Sequence, residues 1–101
     1  MNAYESIPKA QLITIAKRHG LKELALFGSV LGEHFGPSSD IDVLVEFLPD
    51  SNPSLYDLVD IKNELEAILE RKVDVVEKTG LQNPFRRMAI LKNHKVVYAA
   101  S

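Results

Sequence analysis

The chain has no cysteine and no tryptophan among its 101 residues. Without cysteine it can form neither a disulfide framework nor a thiolate metal site, which fits the reducing cytoplasm where we expect the protein. No apolar run approaches the roughly 20 residues of a membrane span, and the N-terminus lacks a signal-peptide pattern. Basic residues give no excess, since Lys and Arg number 12 against 14 Asp and Glu. We therefore expect neither direct nucleic-acid binding nor association with a membrane.

The composition that is present is ordinary for a globular protein, with 46% hydrophobic and 26% charged residues. A chain of this length is expected to form a single domain over residues 1–101. Short apolar runs alternate with segments of helical periodicity, which predicts an α/β fold. We expect a small mixed β-sheet of three to four strands with helices mainly on one side.

The predicted elements follow from apolar spacing, caps and breakers. Helices are expected from a cap at Ser6 or Ile7 to Gly20, over about 15 residues from Leu55, and from Asn83–Pro84 to about Asn93. Ser54 and Asp57 resemble a capping box before the second helix. In the third helix Phe85, Met88, Ala89 and Leu91 are expected to be partly buried. Strands are expected at residues 23–27, 43–45 and 73–76, and residues 96–98 form either a short strand or a helical tail. Loops are expected at residues 36–39 and 48–54.

Gly28 and Ser29 stand where the first predicted strand ends. A glycine lets the backbone approach a ligand closely, and a helix that begins at Ser29 would direct free N–H groups at an anion. The serine hydroxyl would add a donor to phosphate oxygens. The alternative is an ordinary strand-to-helix turn with a serine cap.

Asp40 and Asp42 precede the second predicted strand and lie two residues apart, so both side chains point to one face. Two like charges 4 Å apart repel by about 4 kcal/mol at an effective dielectric constant of 20. A divalent cation removes that cost, and carboxylate oxygens suit Mg²⁺. The alternative is a solvated turn in which Asp40 makes an Asx-type hydrogen bond.

Asp74 interrupts the β-branched third strand. It is either a strand-edge residue that faces water or a third carboxylate beside Asp40 and Asp42, because adjacent strands lie about 4.8 Å apart. Arg86 and Arg87 are interpreted as solvated charge, with an acidic partner or a phosphate as the alternative.

The spacing Gly-Ser, ten residues, Asp-x-Asp resembles the signature of the polymerase β-like nucleotidyltransferases. The surrounding segment LALFGSVLGEHFGPSSDIDVLVEF is similar to the minimal nucleotidyltransferase (MNT) group, many of whose members are antitoxins paired with HEPN-domain toxins. The resemblance extends from about Leu21 to Ala99. Family members commonly carry an arginine three residues after the serine, where this chain has Gly32.

The resemblance implies an Mg²⁺-dependent nucleotidyltransferase that moves AMP from ATP to a hydroxyl, with a tyrosine of a partner HEPN toxin as acceptor. It also implies that Asp40, Asp42 and Asp74 are catalytic and hold two Mg²⁺ ions, while Gly28 and Ser29 bind the nucleotide. Two alternatives stay open: a non-catalytic antitoxin that neutralises its partner by binding, and a small-molecule nucleotidyltransferase. Gly32 favours the non-catalytic alternative, and the intact carboxylate set opposes it.

Overall fold

The structure is a computed structural model that describes residues 3–33, 35–36 and 38–100. These residues form three α-helices and four strands. Their bounds are α1 Lys9–Arg18, β1 Leu21–Phe27, β2 Ile41–Phe47, α2 Leu55–Leu69, β3 Val73–Glu77, α3 Pro84–Lys92 and β4 His94–Ala99. The predicted α/β fold is confirmed, and the C-terminal apolar run is a strand.

The four strands form one mixed sheet in the order β3-β2-β1-β4. Strand β1 runs antiparallel to both of its neighbours, whereas β2 and β3 are parallel. Two parallel strands cannot be joined by a tight turn, and α2 provides the crossover between them. The crossover brings the starts of β2 and β3 to the same end of the sheet.

The two faces of the sheet are covered unequally. Alternate strand residues, including Leu24, Leu26, Val43 and Val45, pack with residues of α1 and α2 in the larger core. The opposite face carries a smaller cluster, formed by Ala25, Phe27, Leu44, Leu81 and Ile90. The expectation of helices mainly on one side is therefore confirmed, and α3 covers part of the second face.

Local sequence signals set the starts of α2 and α3 and the end of α1 as expected, but α1 begins after Pro8 with no side-chain cap, so the cap expected at Ser6 or Ile7 is wrong. The backbone N–H of Ser54 donates to Asp57 Oδ2 at 2.6 Å, which forms the predicted capping box of α2. The Asn83 side chain accepts hydrogen bonds from the first turn of α3, with Pro84 at the first helical position. Gly20 follows α1 with a φ of +68°, a value that favours glycine.

Two expectations differ from the structure. The helix expected to begin at Ser29 is a single 3₁₀ turn, Gly28–Leu31, because the extended backbone of Gly32 ends it. Of the α3 residues expected to be partly buried, Leu91 is half-buried, whereas Ala89, Phe85 and Met88 are exposed, the last two by 83% and 71%. The loop expected at residues 36–39 includes Pro37, which lies outside the described residues.

No helix in residues 3–33, 35–36 and 38–100 is long and apolar enough to cross a membrane.

Candidate active site

The candidate site lies at one end of the sheet, where four chain segments meet. Phe27, the last residue of β1, pairs with Asp42 near the start of β2 and with His94 at the start of β4. The start of β3 joins the same end, because Ile41 pairs with Val73. The turn that begins at Gly28 therefore sits beside the first residues of three other strands.

Asp42 and Asp74 occupy the same register position on the parallel strands β2 and β3. Residues paired in this way point to the same face of a sheet, on strands about 4.8 Å apart. Asp40 lies directly before β2, two residues from Asp42. Asp42 is half-buried, whereas Asp40 and Asp74 are exposed. None of the three carboxylates forms a hydrogen bond or an ion pair with another residue in the described part of the chain.

The electrostatics of Asp42 reflect this arrangement. Burial raises the pKa of Asp42, and the negative charges of Asp74 and Asp40 raise this pKa further. The positive charge of Arg86 opposes the rise in the pKa. Asp42 is thus a half-buried carboxylate surrounded by like charge, which is the electrostatic condition that a cation relieves.

Backbone contacts fix the two strands next to each carboxylate. The N–H of Ile41 donates to the carbonyl of Lys72 at 3.0 Å, one residue before Asp42. The N–H of Val73 donates to Glu66 Oε2 at 2.9 Å, one residue before Asp74. Two carboxylates that repel each other are therefore held at neighbouring positions by bonds outside the pair.

Arg71 supports the loop that leads to Asp40. Its guanidinium donates to the carbonyls of Gly36 and Ser39 at 2.7 and 3.0 Å. The same group lies 4.2 Å from the centre of the Phe35 ring. Nothing in the sequence pattern indicated this role, because the three contacts join segments about 32 to 36 residues apart in the chain.

Gly28 is shaped around the carboxylate of Asp42. Its φ is +78°, a conformation that residues with a Cβ rarely adopt. A Cβ built on Gly28 would overlap Asp42 Oδ2 and lie 3.2 Å from Asp42 Cγ. The glycine therefore leaves the space that the carboxylate occupies. Ser29 is exposed on the same turn, and a single 3₁₀ turn lacks the α-helical N-terminus expected there.

The donor set fits a hard divalent cation in its chemistry. Asp40, Asp42 and Asp74 offer only carboxylate oxygens, Gly28 leaves space beside one of them, and no described side chain pairs with them. In the described ranges, no three His, Cys, Asp or Glu side chains are already arranged to hold a metal ion. Binding an ion would therefore require these side chains to rotate toward each other.

The mixed sheet places carboxylates at paired positions of two strands, beside a glycine turn. This arrangement is suited to binding a phosphate group together with a divalent cation. The sequence matches the profile of the nucleotidyltransferase domain over residues 9–97. The chain belongs to this family.

Named relatives agree with the assignment. The chain is similar to a protein adenylyltransferase, MntA, of Thermococcus cleftensis, with 33% identity over 93% of this chain and 90% of the relative. Among solved structures it is similar to a minimal nucleotidyltransferase, with a TM-score of 0.76, 29% identity and coverage of 93% and 94% of the two chains.

A third comparison concerns the fold alone. A chain in a complex of tri-AMPylated Shewanella oneidensis HEPN toxin with MNT antitoxin has a TM-score of 0.67 and 17% identity to this chain. The match covers 91% of this chain and 70% of the other.

Proposed function

We propose that this chain transfers AMP from ATP to a tyrosine hydroxyl of a partner HEPN toxin and thereby acts as its antitoxin. The observation that carries the proposal is the shared register of Asp42 and Asp74 beside Gly28. The likeness to MntA, a protein adenylyltransferase, supports AMP as the transferred group. The fold shared with the HEPN–MNT complex supports the choice of partner.

In this reaction the tyrosine oxygen attacks the α-phosphorus of ATP. The bond between that phosphorus and the α–β bridging oxygen breaks, and pyrophosphate leaves with the electron pair. Asp74, which is exposed, accepts the hydroxyl proton. Gly28 and Ser29 lie close to the phosphates of the bound nucleotide.

Asp40, Asp42 and Asp74 would hold two Mg²⁺ ions. When bound, these ions neutralise charge on the attacking and leaving oxygens. The raised pKa of Asp42 supports this assignment, because burial and the charges of Asp74 and Asp40 raise it and only the charge of Arg86 opposes them.

The proposal is tested by incubating the purified protein with ATP, Mg²⁺ and a purified HEPN-domain toxin. Intact-mass measurement should detect AMP added to the HEPN protein. Asp42→Asn should reduce the rate by about a thousandfold or more, the equivalent of roughly 4 kcal/mol of lost transition-state stabilisation.

Asp50→Asn is the matched control for this experiment. It makes the same substitution on an exposed loop beyond the far end of β2, and the rate should not change. Growth rescue by Asp42→Asn, without AMP on HEPN protein exposed to the unmutated chain, would instead establish neutralisation by binding alone. AMP transfer to a small molecule but not to the HEPN protein would establish the third function.

A further inference from the structure

A cleft of about 670 Å³ opens beside Gly28, within the size range of small-molecule sites. One wall is the turn after β1, and the other is formed by α3 and the start of β4. Its lining includes Gly28, Leu31, Gly32, Arg86, Ile90 and Lys92. Gly28 lies against the Asp42 carboxylate, and the charge of Arg86 lowers the pKa of Asp42. The cleft therefore adjoins the three carboxylates.

Arg86 differs from the other three arginines of the chain. Arg18 pairs with a glutamate, Arg71 donates to two carbonyls, and Arg87 donates to the carbonyl of Lys78 at 3.1 Å. The Arg86 side chain forms no hydrogen bond or ion pair with any residue the structure describes. A guanidinium has five donors in a planar fork that matches phosphate oxygens. Arg86 presents this fork, unused by the protein, where the cleft meets the carboxylates.

The cleft also has a charge suited to an anion. Lys92 joins Arg86 in its lining, whereas the Lys95 ammonium lies over the Tyr4 ring, and no Asp or Glu of the described chain lines the cleft. The three carboxylates stand outside the lining, beyond Gly28. Positive charge in the cleft therefore lies next to negative charge at the starts of β2 and β3. A polyphosphate would complement the positive side, and its metal ions would complement the carboxylates.

We infer that Arg86 is the cation of this chain that contacts the phosphates of the nucleoside triphosphate at this cleft. The inference deepens the proposed function and rests on it for the identity of the ligand. Arg86 shields the phosphates from Asp40, Asp42 and Asp74, whose charges would otherwise repel them. Lys92, on the same wall, is a second contact for the phosphate chain.

Gly32 provides an independent way to test the cleft. Its backbone is extended, with φ −104° and ψ −176°, so other residues can adopt it. A Cβ on Gly32 would lie 3.7 Å from the Ser29 carbonyl oxygen, which is an ordinary contact. Gly32→Arg would therefore place a second guanidinium in the lining without backbone strain.

The experiment measures binding of Mg·ATP and of inorganic Mg·tripolyphosphate by calorimetry. Arg86→Gln should weaken both by about tenfold or more, because a charge-assisted contact is lost. The affinity of Arg86→Lys should lie between those of the unmutated chain and Arg86→Gln. Gly32→Arg added to Arg86→Gln should restore affinity. Lys17→Gln removes the same charge from exposed α1, on the opposite face of the sheet, and should bind as the unmutated chain does.

The possible results separate the two levels of the proposal. Unchanged binding by Arg86→Gln, or an equal loss in Lys17→Gln, overturns the role of Arg86 and leaves AMP transfer standing. Arg86-dependent binding of tripolyphosphate in a chain that transfers no AMP upholds the cleft and overturns the proposed function. If the unmutated chain binds neither ligand, both are wrong. Thermal unfolding of each variant establishes that it is folded.

Discussion

A side chain on Gly28 would collide with the carboxylate of Asp42, so the two residues fit together only because position 28 has no Cβ. The positive φ of Gly28 adds a second reason for glycine, since that backbone conformation is costly for other residues. The glycine at the end of β1 and the carboxylate of Asp42 in β2 therefore depend on each other.

Gly28→Ala should destabilise the fold by about 1–2 kcal/mol and reduce AMP transfer by at least about a hundredfold. The added methyl group must displace the Asp42 carboxylate, and the backbone is strained as well. Urea unfolding and intact-mass assays measure the two effects. Gly80→Ala is the control, because nothing lies within 4 Å of a Cβ there. Equal effects of the two substitutions would contradict the fit between Gly28 and Asp42.

Asp42→Asn should stabilise the folded protein at neutral pH while it abolishes transfer. The folded-state pKa of Asp42 lies above its ordinary value of 3.8, so ionised Asp42 destabilises the fold. The stability that protonated Asp42 gives is complete below pH 3.8 and is lost as pH rises through the raised pKa. The gain from asparagine should therefore be largest near neutral pH and disappear in acid.

The expected gain is about 0.5–1 kcal/mol, or roughly 2–8 °C in Tm, since solvent screens a half-buried charge. Differential scanning calorimetry at several pH values measures it. Mg²⁺ should raise the Tm of the unmutated chain more than that of Asp42→Asn, because only the former keeps all three carboxylates. A variant less stable than the unmutated chain at pH 7 would show that Asp42 has a stabilising partner.

Lys78→Met should destabilise the fold by about 1–2 kcal/mol. Lys78 Nζ lies 3.6 Å from Glu23 Oε2 and 3.7 Å from Glu46 Oε1, and the two glutamates face each other across β1 and β2. Without the lysine, two poorly hydrated carboxylates repel each other. Glu23→Gln added to Lys78→Met should recover much of the loss in urea unfolding.

Lys62→Met is the control for that experiment, because it breaks an exposed pair with Glu66 on one helix. Such pairs contribute only about 0.3–0.5 kcal/mol. If the Lys78 substitution costs no more than this, the three side chains do not act as a unit.

Arg71→Lys should lower kcat for AMP transfer by about tenfold and leave the KM for ATP nearly unchanged. Lysine keeps the charge but loses the planar fork that joins the carbonyls of Gly36 and Ser39 and stacks on Phe35. The loop before Asp40 would then be less well positioned. Steady-state kinetics measure the effect, and Arg18→Lys, remote from the loop, should leave kcat unchanged. An unaltered rate in Arg71→Lys would mean that Asp40 is positioned without this arginine.

The sequence by itself determined the elements and part of the site. Apolar periodicity and caps predicted the helices and strands, because those signals act over a few residues. The spacing of Gly28, Asp40 and Asp42 is also local, since period-two alternation places both carboxylates on one face. The sequence predicted a helix that begins at Ser29. The structure has a single 3₁₀ turn there, because the extended backbone of Gly32 ends it.

Only the tertiary structure decided which distant groups face one another. Asp74 shares a register with Asp42 because the α2 crossover makes β2 and β3 parallel neighbours, and pairing partners depend on backbone hydrogen bonds between strands. Arg86 could be interpreted equally well as solvated charge, since its role depends on how α3 returns over the second face of the sheet. The contacts of Arg71 join segments far apart in the chain. Periodicity cannot encode such contacts, because it specifies the face of an element but not the neighbour that the face meets.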